Sequence, residues 1–155
     1  GGPHENAIAS LAITLELASK SDWKNYAKLV IKNSQALASA LQKLDYKIIS
    51  GGTDNHLMVI DLTNKNISGK EAETRLATAG LLVSRSTIPA DPRPPYNPSG
   101  IRIGTPAITT RGFKPVDMKN LAQLIDNILK TKDDRELKTR AQAVKKLTKK
   151  LTISK

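Results

Sequence analysis

Near the amino end, apolar residues recur at helical steps. Ala7, Ile8, Leu11, Ala12, Leu15 and Ala18 predict a helix over residues 4–20. Ile13 and Leu17 widen its apolar side beyond one stripe, so burial on more than one face is expected. A second helix, capped by Ser21 or Asp22, runs to Leu44 with Trp23, Tyr26, Val30, Leu37, Leu41 and Leu44 turned inward. Two short runs rich in Ile and Val, residues 46–50 and 57–62, read as strands around the turn Gly51-Gly52-Thr53-Asp54-Asn55-His56. Ser68-Gly69-Lys70-Glu71 has the form of a capping box, in which Ser and Glu each satisfy a backbone donor. Gly80 supplies the stop, giving a helix over residues 69–79. A further strand is expected from residues 81–83.

Five of the eight prolines fall between Pro89 and Pro98, interleaved with Asp91, Arg93, Tyr96 and Asn97. Such a stretch is neither helix nor central strand, and fixed φ angles make it an ordered loop suited to carrying binding residues. Residues 101–104 form a strand leaving it, followed by amphipathic helices over residues 117–129 and from residue 133 onward. The order α-α-β-β-α-β-loop-β-α-α describes an α/β (α+β) sandwich in one domain over residues 1–155, its helices packed mainly on one face of a small sheet.

With 155 residues, 39% hydrophobic and 25% charged, the chain is globular in composition and long enough for a real core. It has no cysteine, which removes disulfides, thiolate nucleophiles and Cys-ligated zinc, and fits a cytoplasmic protein. No apolar run reaches the length of a membrane span, so no membrane partner is expected. Seven of the eleven net positive charges lie from Lys138 to Lys155, a segment without acidic residues. Leu137, Ala141, Val144, Leu147 and Leu151 recur there at steps of three and four, so residues 133–155 are read as a basic terminal helix with one apolar stripe and a solvated lysine face. The segment has no aromatic platform, and nucleic acid is not the expected partner.

Chemistry is excluded more easily than assigned. Phosphate-loop, dinucleotide-binding and nucleophile-elbow motifs are all missing. Two histidines, His4 and His56, without cysteine give no expected metal site. Ser50, Asp54 and His56 crowd one turn and cannot present the separate faces a triad needs, so Asp54 and Asn55 are read as turn formers. Arg102, on the strand after the proline loop, can grip a carboxylate with two parallel hydrogen bonds or pair with a surface acid. Arg111 has the same choice, and there the structural pairing is favoured. The chain has no initiator methionine, its methionines being Met58 and Met118, which fits a cut from a longer protein or a short tag scar.

Four blocks taken in order, Gly1-Gly2-Pro3-His4-Glu5-Asn6, the turn at residues 51–56, Gly69-Lys70-Glu71-Ala72, and Ser99-Gly100-Ile101-Arg102-Ile103-Gly104-Thr105-Pro106-Ala107 with Thr109-Thr110-Arg111-Gly112-Phe113, resemble serine hydroxymethyltransferase. The resemblance runs from Gly1 to about Leu129 and concerns the carboxyl-terminal part of that family's proteins. It implies the small C-terminal domain of a fold-type I, aspartate aminotransferase-like enzyme. It also implies interconversion of serine and glycine with pyridoxal phosphate as cofactor and tetrahydrofolate as one-carbon acceptor, by a homodimer or homotetramer. Residues 1–20 are then an interdomain helix and residues 84–100 the substrate and folate loop. The family's cofactor lysine lies upstream of Gly1, so this stretch alone holds no catalytic residue and is expected to be inactive.

Residue by residue, the resemblance makes Arg102 the holder of the substrate carboxylate, which settles its choice in favour of binding. It puts Gly1 and Gly2 at the cofactor phosphate of a neighbouring subunit, and Pro94, Pro95 and Tyr96 at the folate. Where the family reads Asn-Lys-Asn, this chain has Ser84-Arg85-Ser86 before Thr87-Ile88-Pro89, so a folate contact through Ser86 replaces an amide with one hydroxyl. Two alternatives remain open: a folate-independent pyridoxal-phosphate aldolase, and a non-catalytic basic module that binds RNA or a protein partner through its terminal lysines.

Overall fold

The structure, a computed structural model, describes residues 1–149. Helices α1 (Glu5–Ser19) and α2 (Ser21–Gln42) are followed by strands β1 (Lys47–Ile48) and β2 (Leu57–Asp61). Then come α3 (Gly69–Thr78), β3 (Ser84–Ser86), β4 (Gly100–Gly104), α4 (Pro106–Thr110), α5 (Met118–Lys130) and α6 (Asp134–Lys149). The four strands form one sheet in the order β1-β2-β4-β3, antiparallel at every pairing.

Period-two alternation divides the sheet's faces. Met58 and Ile60 on β2 and Ile101 and Ile103 on β4 are buried, and they meet Leu37 and Leu41 of α2, Leu76 of α3, and Leu121, Ile125 and Ile128 of α5 in a single apolar cluster. Each such side chain contributes roughly 1.5–3 kcal/mol by leaving water. The helices therefore cover one face, as the sequence pattern predicts, and leave the other open. A polar tie joins the residue before the first strand to that helical layer. The Tyr46 hydroxyl donates to Asp126 Oδ1 at 3.1 Å, and Lys130 Nζ lies 2.8 Å from Asp126 Oδ2. Burial, and then the Asp126 carboxylate, raise the Tyr46 hydroxyl well above its ordinary range.

Several expectations are corrected. Helix α1 has no buried residue: Ile8, Leu11, Ile13, Leu15 and Leu17 are 54–62% exposed, because nothing in the described chain packs over them. Trp23 is also exposed, its ring 5.3 Å from that of Tyr26. Tyr26 is half-buried, its hydroxyl within hydrogen-bonding distance of Thr110 Oγ1 at 2.9 Å.

The third strand is residues 84–86, not 81–83, for a reason in the helix before it. Gly80 has φ +88°, its N–H donates to Ala77 O, and the Leu81 N–H donates to Leu76 O. This closure fastens Leu81 to the end of α3 and spends the start of the apolar run on a helix stop. The capping box is half made. Ser68 Oγ accepts from the Glu71 N–H at 3.1 Å, while the Glu71 carboxylate pairs with Arg75. The short helix α4, begun by Pro106, was not expected. In α6, Leu137 and Val144 are buried and Lys138, Lys145, Lys146 and Lys149 exposed, whereas Lys150, Leu151 and Lys155 lie outside the described residues.

Candidate functional site

The open face of the sheet carries Arg102, and the proline loop is rooted at its edge. Arg102 pairs in register with Val59 on β2 and Ser84 on β3, so its side chain leaves the face opposite the buried Ile101 and Ile103. It is exposed, and no acidic group pairs with it among the described residues. The acid sharing that face of β2, Asp61, is engaged elsewhere. It is buried and binds Lys47 Nζ at 3.0 Å, the Thr63 hydroxyl at 2.6 Å and the Thr63 N–H at 2.9 Å. Burial opposes ionisation of Asp61, but these bonds prevail and hold its carboxyl below the usual range. Arg102 thus keeps its fork for something else.

Around it lies a shallow cleft of about 470 Å³ lined by His56, Leu57, Leu82, Val83, Ser84, Arg102 and Gly104. The turn that supplies His56 is fixed by local bonds. Thr53 Oγ1 donates to Leu57 O at 2.6 Å, and Asn55 Oδ1 accepts from the Leu57 N–H at 2.9 Å. The His56 carbonyl accepts from the Thr105 N–H at 2.9 Å, joining the turn to the far end of β4. Asn55 is a turn former as expected; Thr53 takes the part assigned to Asp54. Ser50, at φ +65°, and His56 are both exposed, and neither side chain is hydrogen-bonded among the described residues. Among the described residues no group of three or more His, Cys, Asp or Glu is placed to hold a metal, and no helix is long and apolar enough to cross a membrane.

The proline loop leaves β3 at Ser86 and re-enters β4 at Gly100, and these two residues face each other in register. The loop is therefore rooted at one end of the strand pair, two residues from Arg102. Ser86 is half-buried, its hydroxyl 3.3 Å from the Thr87 carbonyl. Pro94, Pro95 and Tyr96 are exposed at the outer turn, which is closed by the Asn97 N–H on Pro94 O at 2.9 Å.

Its organiser is Asp91, to which the residue pattern alone assigns no role. Asp91 Oδ1 accepts from the Ser99 hydroxyl at 2.6 Å and the Arg93 N–H at 2.9 Å, and Oδ2 from the N–H groups of Ser99 at 3.0 Å and Ile88 at 3.2 Å. Burial works against the charge, yet the bonds from Ser99, Arg93 and Ile88 outweigh it and lower the Asp91 carboxyl to about 2. An aspartate followed by proline and a free N–H two residues on is a turn signal that could have found it.

Gly1 and Gly2 are not brought to Arg102 by this chain. They precede α1, both are exposed, and among the described residues no atom beyond the adjoining residues lies within 4 Å of where a Cβ would stand on either. Arg111 departs from its expected structural pairing: it is half-buried and meets no acid among the described residues. Set against known families, residues 1–125 match the model described as serine hydroxymethyltransferase. That span contains the cleft, the proline loop and both amino-terminal glycines.

Proposed function

We propose that this chain, which belongs to the serine hydroxymethyltransferase family, serves as the carboxyl-terminal domain of an enzyme interconverting serine and glycine, and that Arg102 anchors the amino-acid carboxylate. One observation carries the reading: an exposed arginine, without an acidic partner among the described residues, on the open face of the sheet beside a rooted loop. A guanidinium fork holds both carboxylate oxygens at once, which fixes rotation about the carboxyl–Cα bond and so orients the remaining bonds at Cα.

The family is generally pyridoxal-phosphate dependent, and the bound cofactor supplies an electron sink for cleavage at Cα. Of this chain's residues, Gly1 and Gly2 suit contact with its phosphate. They lack a Cβ and stand clear of their own chain, so another subunit's phosphate can approach the backbone. Pro94, Pro95 and Tyr96 suit the folate. Their loop is held by Asp91 and stiffened by proline, so a ligand ordering it further gives up little conformational freedom.

The test is substitution of Arg102 in the cofactor-bearing enzyme. Arg102→Ala raises the KM for serine about a hundredfold, and Arg102→Lys less, since one ammonium cannot reproduce the fork. The unfolding midpoint stays put because the side chain is exposed. An unchanged KM for serine overturns the role of Arg102.

A second reading, folate-independent cleavage of hydroxy amino acids, is favoured by one contact. The Ser86 hydroxyl lies against its neighbour's carbonyl, not out toward a ligand. Equal rates of serine cleavage with and without tetrahydrofolate would select it.

A further inference from the structure

On the helical side of β4 the end of α3, residues 81–83, α4, α5 and α6 surround a second, half-open cleft of about 550 Å³. Its apolar wall includes Ile103, Ile108, Leu121, Ile125 and Val144. Two charged side chains line it, Arg111 and Lys145, and no acidic residue does. Neither cation takes part in an ion pair or a side-chain hydrogen bond among the described residues. That sets them apart from Lys65 and Lys130, each held by an aspartate. An arginine half-buried on an apolar wall without an anion bears a desolvation cost that a bound anion would relieve.

We propose that this cleft binds a small amphiphile, an apolar body carrying one anionic head group. The body lies against Ile103, Ile108 and Val144, and the head meets Arg111 and Lys145. The volume falls in the range of ligand pockets, and the walls come from five separate segments, so the site is concave and not a flat docking face. A second copy of the chain is a poor occupant, since each copy carries a formal charge of +11 and would bring more cations to a cationic rim. The site adjoins the Arg102 cleft without being part of it. Leu82, Val83 and Gly104 line both. A ligand here therefore touches the wall of the first cleft from behind.

The experiment titrates dodecanoate, with dodecanol as the uncharged control, into the 155-residue chain while methyl resonances and binding heat are followed. The expected result is saturable one-site binding of dodecanoate. Shifts should be centred on Ile103, Ile108 and Val144, with smaller ones at Leu82 and Val83, which line both clefts. Arg111→Gln and Lys145→Gln should each weaken it about tenfold. Ala107→Phe, which fills the cleft from α4, should abolish binding, and an unchanged melting curve shows that each variant is folded. Absence of saturable binding overturns the proposal. So does equal affinity for dodecanol, or shifts confined to Ile8, Leu11 and Leu15 of the exposed helix. A dimer by sedimentation that Ala107→Phe converts to monomer also overturns it, because the occupant is then a second copy.

Discussion

Gly69 and Gly100 meet backbone to backbone: a Cβ built on Gly69 would overlap the Gly100 carbonyl oxygen, and one on Gly100 would stand 2.7 Å from Ile88 Cγ2 and 2.9 Å from the carbonyls of Ile60 and Ser86. The Gly69 N–H also donates to Pro98 O at 2.7 Å. Neither glycine has a positive φ, so the requirement is for space and not for conformation. The first turn of α3 is thereby seated on the mouth of the proline loop, two residues from Arg102.

Gly69→Ala is therefore expected to destabilise the domain by about 2–3 kcal/mol, since backbone and not a flexible side chain must give way. Urea unfolding of the two proteins measures it. The same change at Gly51 is no control, because its φ of +71° brings a separate strain. Lys70→Ala, on the exposed side of the same turn, should change stability by no more than about 0.5 kcal/mol.

The loop's acid sets a pH dependence. In the folded protein the Asp91 carboxyl lies below the ordinary aspartate value, so as pH falls the unfolded chain takes up the proton first. Its contribution to stability is complete above about pH 4, and it is lost as pH drops toward the folded value of about 2. Asp91→Asn places an amide NH2 where one oxygen now accepts two N–H groups, and should cost about 1–3 kcal/mol near neutrality. The gap between the two unfolding curves should close as the pH is lowered through that window. A gap that stays constant removes Asp91 as its source.

Beside Asp91 the backbone is strained. Ala90 has φ +52°, at the third position of a turn closed by the Asp91 N–H on Ile88 O at 3.2 Å. The left-handed conformation costs an alanine about 1–2 kcal/mol, while glycine adds about 0.5–1 kcal/mol of chain entropy to be lost on folding. Ala90→Gly should therefore raise the unfolding free energy by about 0.5 kcal/mol, and Ala90→Val should lower it, both readable by thermal melting.

What could be read from residues alone follows a physical division. The β4 segment Ile101-Arg102-Ile103 was legible because alternation forces one face in and the other out once its neighbours are strands. Gly80 was legible as a stop because few residues other than glycine close a helix in the left-handed region. The strand at residues 84–86 was not, since Ser84-Arg85-Ser86 has no apolar signal and owes its place to hydrogen bonds with β4. The more apolar residues 81–83 misled because Leu81 was already committed to α3. Asp91 stayed hidden for a related reason: one of its partners, Ser99, is eight residues away, and only the folded loop brings the two together. For α1 the periodicity correctly marked an apolar surface, but periodicity does not say which element covers it. The role proposed for Arg102 rests on resemblance, not on chemistry legible in one strand.

That uncovered helix has a thermodynamic consequence. A 15-residue helix with no buried side chain draws little from tertiary packing, and helices of that length are marginal in water on their own. Its opening is then a local equilibrium, separate from the cooperative loss of the sheet and its helical layer. In hydrogen exchange the amides of Leu11 to Leu17 should trade with solvent orders of magnitude faster than those of Ile101 and Ile103. A surface that docks on α1 would slow the first set and leave the second unchanged. Protection of these few amides, with the core's exchange constant, would thus report any docking on this helix.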